Sequence, residues 1–169
     1  MKFRNIEILE KDANKKGDLF GRLMRDFFFT LGYDEPRLNI SKSGREIDFH
    51  SSHRTEHKIV VAECKAHSEK IGGADINKFV GAIDAEKIKL KKNKQFKGYS
   101  LEAYFISLSG FTETAIEQEN ELEDKRLLLI KPDKVVDELV KGNILVSLEK
   151  AILSKFTSFL TLKFTLFPT

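Results

Sequence analysis

The sequence predicts an α/β fold: a mixed β-sheet core in the order α-β-β-β-α-β, flanked by helices. Three observations predict it. Apolar residues recur at helical spacing near the N-terminus and again over 74–92. Short alternating or apolar runs, bounded by turn residues, cluster between those two segments. Beyond residue 100, strand-like and helix-like segments alternate, as expected for a sheet covered by helices.

The elements follow in order. "KKGDLFGRLMRDFFFTLGY" (15–33) places Leu19, Phe20, Leu23, Phe27 and Leu31 on one helical stripe, and Gly32 supplies the stop. "PRLNIS" opens an edge strand with proline, and "REIDFHSS" alternates polar with apolar residues. "HRTEHK" is polar enough to turn the chain into "KIVVAECKA" (58–66). The second helix carries Ile76, Phe79, Val80, Ile83 and Ile88 along one side, and "NKQFKGYS" ends it. "LEAYFISLS" is the fourth strand, Thr112 a good N-cap for the next helix, and "RLLLIKP" a fifth strand stopped by Pro132. "DKVVDELVKGN" is a short helix ending at Gly142. Residues 1–143 are expected to form one domain. Residues 144–169 are expected to add a helix and strand, packed on that domain or leading to a partner domain.

Composition narrows the function classes. In 169 residues, 41% are hydrophobic and 33% charged, with a formal charge of +3. That mildly basic balance permits a polyanionic partner without requiring one. A single cysteine excludes an internal disulfide framework and a cysteine-built zinc site. The first residues lack the apolar stretch of a signal peptide, and no run reaches the roughly 20 residues needed to span a bilayer. A cytoplasmic protein with no membrane partner is expected.

The chemistry concentrates on "KIVVAECKA". Strand side chains alternate, so Ile59, Val61, Glu63 and Lys65 share one face, and Val60, Ala62, Cys64 and Ala66 the other. The charged pair thus continues an apolar row and emerges at the strand's end. If the preceding strand folds back through "HRTEHK", Asp48 comes close to Glu63. Two carboxylates and a backbone carbonyl are hard oxygen ligands suited to Mg²⁺, with Mn²⁺ as an alternative. A nearby lysine can neutralise charge developing on an attacked phosphodiester. The chemistry implied is hydrolysis of a nucleic-acid backbone.

"GREIDF" followed by "VVAECK" resembles the D…(D/E)xK signature of the PD-(D/E)XK nuclease superfamily, in its Mrr-like restriction-endonuclease branch. "SLSGFTETAIEQE" is similar to that branch's strand, Gly-Phe-Thr and helix, and "RLLLIKPDKVVDEL" to its closing strand and helix. The resemblance runs from about residue 15 to 142. It implies a restriction-endonuclease-like fold and a metal-dependent endonuclease acting on DNA, in restriction, defence or repair. Asp48 and Glu63 would be metal ligands with the Cys64 backbone carbonyl, and Lys65 the catalytic lysine. The chain departs from the pattern at Ile47, where the naming proline is absent, and at Gly21, where members often carry a helix-1 glutamate. Asp18, one turn earlier, is a candidate additional acid.

Further expectations concern substrate. Lys42, Ser43 and Arg45, in the turn leading to Asp48, are expected to contact DNA phosphate, as is Lys78 early in the second helix. Six lysines between 87 and 97, Lys91 and Lys92 among them, form a candidate backbone footprint or a solvated helix end. His50, His53 and His57 read as an exposed hairpin before a zinc site. A homodimer, or a module of a larger assembly, is the expected setting. The alternatives are a catalytically inactive DNA-binding or adaptor module of the same fold, and a Holliday-junction resolvase.

Overall fold

The computed structural model describes residues 6–42, 45–122 and 127–145, with side chains described throughout except at 37–42 and 45–47. Strands β1 (Arg37–Lys42), β2 (Arg45–Ser52) and β3 (Lys58–Lys65) form an antiparallel meander. Strands β4 (Ser100–Ser107) and β5 (Leu127–Ile130) then add in parallel, giving one five-stranded mixed sheet in the order β1-β2-β3-β4-β5. Helix α1 (Ala13–Thr30) precedes the sheet. Helix α2 (Gly73–Lys92) links β3 to β4, α3 (Glu113–Glu121) links β4 to β5, and α4 (Pro132–Lys141) follows. The expected mixed α/β architecture is the observed one.

The layering follows from crossover handedness. Both parallel connections, through α2 and α3, step along the sheet in the same direction. Right-handed crossovers therefore leave both helices on one face. Ile59 and Val61 of β3 pack there with Ile76, Phe79 and Ile83 of α2 and Ala115 of α3. The opposite face, with Val60 and Ala62, packs against Phe20, Met24, Phe27 and Phe28 of α1 and Val135 and Leu139 of α4. The alternation read along β3 is thus the division between two hydrophobic cores.

Phe28 is the hub of the α1 side. Its ring lies 4.2 Å from Phe49 and 5.4 Å, edge-on, from Tyr104, centroid to centroid. Such a fully buried phenylalanine contributes about 1.5–3 kcal/mol of transfer free energy. The helical stripe is rotated from expectation: Met24 and Phe28 are buried, whereas Leu19 is exposed. In an unbroken run of three phenylalanines, spacing alone cannot rank the neighbours, and packing against Phe49 and Tyr104 does. Ile88 on α2 is likewise exposed and Glu86 buried instead, forming an ion pair with Lys89.

Caps mark the helix ends. Asp12 accepts from the Lys15 N–H at the start of α1, and Thr112 from Ala115 N–H at the start of α3. Pro132 stands at the first position of α4, where its missing N–H costs nothing. Gly32 turns the chain out of α1 at φ +93°, and a Cβ there would lie 2.5 Å from His53 Nε2. Among the described residues no helix is long and apolar enough to cross a membrane. The helix and strand expected over 144–169 fall, beyond Leu145, outside the described residues.

Candidate active site

The carboxyl ends of the parallel strands open at one edge of the sheet, where α/β folds commonly place ligands. The loops after β3 and β4 are tied together there. Ile71 N–H donates to the Gly110 carbonyl and Thr112 N–H to the Ile71 carbonyl, while the Ser109 hydroxyl reaches the Glu69 carbonyl. These bonds join the two loops into one rim beside the last residues of β3.

The β2–β3 ladder runs from Ser52 opposite Ile59 to Phe49 opposite Ala62. Beyond that point β2 stays with β1, whose register extends to Lys42 opposite Arg45. Where the ladder ends, the Asp48 carboxylate accepts the Cys64 N–H at 2.8 Å. A side chain replaces the missing main-chain partner, and the carboxylate is fixed against the Glu63–Lys65 segment.

Glu63 sits on the α2 face with its side chain 13% exposed, and Lys65 Nζ lies 2.5 Å from Glu63 Oε1. Burial and the neighbouring negative charge of Asp48 push the Glu63 carboxyl above its ordinary value, against the opposing pull of Lys65 and Lys78. The two carboxylates therefore feel one another in a partly desolvated corner. Helix α2 supplies the facing wall: Asp75, Lys78, Phe79 and Ala82 line a small recess with Glu63, Lys65 and Phe105. Burial pushes the Cys64 thiol far above its usual range, so it stays protonated in the α1-side core and is no nucleophile.

The expected residues divide into three groups. Asp48, Glu63, Lys65 and Lys78 come together. Asp18 is exposed on α1, whose buried face packs on the other side of the sheet from Glu63. Lys91 and Lys92 are exposed at the far end of α2, about 20 Å from Lys78 at 1.5 Å per residue. Lys42 and Arg45 close the β1–β2 hairpin, but their side chains, and Ser43 altogether, lie outside the described residues. Sequence reasoning missed Asp75, although its spacing to Phe79 and Ala82 puts all three on one helical face. It also missed Ser107, which is buried, stands opposite Lys65 in the β3–β4 register and shares a hydrogen bond with Ser109.

The histidines of the β2–β3 hairpin have structural work. His53 Nε2 meets the Leu31 carbonyl at 3.2 Å, and its Nδ1 accepts from the Thr55 and Glu56 N–H groups. His57 stacks on Tyr99. Among the described residues no group of three or more His, Cys, Asp and Glu side chains is arranged to hold a metal ion. The donor set of Asp48 and Glu63 still fits a hard cation that is held through one or two carboxylates and completes its shell with water and substrate phosphate.

A family model described as a restriction endonuclease, Mrr_cat, matches residues 13–139. No curated protein matches the chain. Among solved structures it is similar to AF1548, a protein of unknown function, at 15% identity and a TM-score of 0.47, covering 79% of this chain and 73% of that one. A repair endonuclease from Pyrococcus abyssi matches at 18% identity and a TM-score of 0.43, over 75% of this chain and 50% of its own. The restriction endonuclease MspJI, in complex with a 27-mer oligonucleotide, matches at 14% identity and a TM-score of 0.44, over 84% of this chain and 31% of its own.

Proposed function

The chain belongs to the Mrr_cat restriction endonuclease family, and from that membership we propose that it is a metal-dependent endonuclease hydrolysing DNA phosphodiester bonds in restriction, defence or repair. The observation that carries the reading is the convergence of Asp48, Glu63 and Lys65 at the open end of β3, faced by Lys78 from α2. A structural ion pair would need only Glu63 and Lys65. A second carboxylate held beside them, raising the cost of ionising Glu63, makes sense as half of a cation site.

Asp48, Glu63 and the Cys64 carbonyl would hold Mg²⁺ or Mn²⁺. Such an ion supplies Lewis-acid stabilisation of the charge that builds on the phosphodiester. The chain's own residues do the rest. The Cys64 N–H orients Asp48, fixing its carboxylate beside the Glu63–Lys65 segment. Lys65 holds Glu63 in the absence of substrate and, once released, places a positive charge where negative charge develops. Lys78 adds a second cation on the facing wall, suited to a non-bridging phosphate oxygen.

The test is cleavage of supercoiled plasmid with Mg²⁺ or Mn²⁺ by wild type, Asp48→Ala, Glu63→Ala and Lys65→Ala. Cleavage by wild type alone is expected. Equal cleavage by all four removes the site. No cleavage by any, with salt-sensitive DNA binding retained, replaces the reading by a binding module, consistent with Gly21 standing where the resemblance implies a glutamate.

A further inference from the structure

The lysine-rich end of α2 has its own architecture, separate from the Glu63 recess. A groove of about 480 Å³ opens between the last turns of α2 and the loop leading to β4. Leu90, Phe96, Tyr99 and Leu101 give it an apolar floor, and Lys87, Lys91 and Lys97 stand around it. No carboxylate is among its described lining residues. Lys92 and Lys94 are exposed close by in sequence.

The loop that builds the groove is held in place. Asn93 Oδ1 accepts the Gln95 N–H to start the 3-10 turn Lys94–Phe96, and Gly98 reverses the chain at φ +87°. Tyr99 packs edge-on against Phe96 at 5.3 Å and stacks on His57 at 4.9 Å with the rings 29° apart. The His57 carbonyl accepts the Ser100 N–H, fastening the loop to the β2–β3 hairpin. The result is a fixed aromatic shelf, Phe96 and Tyr99 backed by His57, with Lys87 and Lys91 on the helix wall of the groove and Lys97 on the loop wall. Solvated helix ends need the cations but not the shelf.

We propose that this groove binds an unpaired strand of nucleic acid, with a base against the Phe96–Tyr99 shelf and phosphates on Lys87, Lys91 and Lys97. Duplex DNA offers phosphates but keeps its base faces stacked inside, so the apolar floor would stay uncovered. An unpaired strand offers both chemistries, and stacking platforms beside cationic grooves are how single strands are held. The groove lies at the start of β3 and β4 and the cleavage centre at their ends, about 23 Å away at 3.3 Å per residue. This deepens the nuclease reading and rests on it for one point, that the bound strand belongs to the substrate. The preferred substrate is then DNA whose duplex passes into an unpaired segment near the cut.

The test is fluorescence anisotropy in EDTA, which prevents cleavage, using three probes. These are a labelled oligothymidylate of roughly 8–12 nucleotides, an abasic deoxyribose-phosphate oligomer of the same length, and a blunt duplex. Wild type is compared with Lys87→Glu/Lys97→Glu and with Tyr99→Leu, each checked by thermal melting. Expected is tighter binding of oligothymidylate than of the abasic oligomer, and a loss of about tenfold in oligothymidylate affinity in each variant, exceeding the loss for duplex. Equal binding of the abasic oligomer and oligothymidylate by wild type overturns the proposal. So does an equal loss for duplex and single strand in the lysine variant, which keeps the shelf even if Tyr99→Leu fails to fold. Failure to cleave both plasmid and a duplex carrying an unpaired segment, with the oligothymidylate signature intact, overturns the nuclease reading and leaves strand binding by the groove standing.

Discussion

The Asp48 carboxylate accepts the Cys64 backbone N–H at 2.8 Å, at the point where β2 parts from β3. One side chain thereby does two jobs, closing a gap in the sheet and presenting an oxygen beside Glu63. The two can be separated by substitution. Asp48→Asn keeps an acceptor for the N–H and removes the charge, whereas Asp48→Ala removes both. Asp48→Asn is expected to melt within a degree or two of wild type and lose cleavage by a factor on the order of 10²–10³. Asp48→Ala should lose cleavage equally and also about 1–3 kcal/mol of stability, the cost of a buried unpaired N–H. Calorimetry alongside plasmid cleavage checks both, and a catalytically competent Asp48→Asn would remove Asp48 from the proposed metal site.

Cation binding should stabilise the folded chain by mass action. At a Mg²⁺ concentration about 100 times its Kd, the gain is about 2.7 kcal/mol, visible as a rise in melting temperature that EDTA reverses. Glu63→Gln removes the charge of a proposed ligand and relieves repulsion with Asp48. It is expected to melt higher than wild type without metal and to respond little to Mg²⁺. A full Mg²⁺ response in Glu63→Gln would show that the ion sits elsewhere.

A second carboxylate tests the pH dependence of the fold. Glu102 on β4 accepts from the Tyr33 hydroxyl at 2.8 Å and the Tyr104 hydroxyl at 3.2 Å, with Lys58 Nζ at 3.2 Å. Burial raises its pKa, but Tyr33, Lys58 and Tyr104 together outweigh burial, so the carboxyl sits below its ordinary value. A depressed carboxylate stabilises the fold above the unfolded value of about 4.3 and loses that contribution as pH falls through the folded one. Glu102→Gln is therefore expected to cost about 1 kcal/mol near neutral pH, discounted for partial exposure. The gap to wild type should close below about pH 4. Urea denaturation across that range checks it, and a constant gap would assign the loss to packing.

Gly32 joins the end of α1 to the β2–β3 hairpin. Its φ of +93° strains any L side chain, and a Cβ would press on His53. Gly32→Ala should cost on the order of 1–3 kcal/mol. Adding His53→Ala would relieve the contact but not the backbone strain, so only part of the loss should return in a double-mutant cycle. Full recovery would make the contact the whole cause.

Much of the fold was legible because local chemistry and long-range packing agree. Alternation in "KIVVAECKA" reports the two cores, the Thr112 cap marks a real helix start, and Pro132 follows the real end of β5. Legibility fails where one residue type fills several adjacent positions. Phe27, Phe28 and Phe29 are equivalent by spacing, yet the first two are buried and Phe29 is exposed beneath the Arg54 guanidinium. The candidate site shows the same limit. Glu63 and Lys65 are adjacent on one strand and can be read together, and Asp48 follows once a hairpin is assumed. Asp75 and Ser107 come from elements whose approach no local pattern encodes.

By itself the sequence determined the element order, the face of β3 that carries charge, and, once a hairpin is assumed, the approach of Asp48 to Glu63. These follow from a period of two residues and a short hairpin, both properties of nearby chain. Only the tertiary structure decided that Lys78 joins the site while Lys91 and Lys92 stand at its far end. A helix of 20 residues carries its two ends about 30 Å apart. Lysines carried by one helix therefore stand at opposite edges of the same sheet.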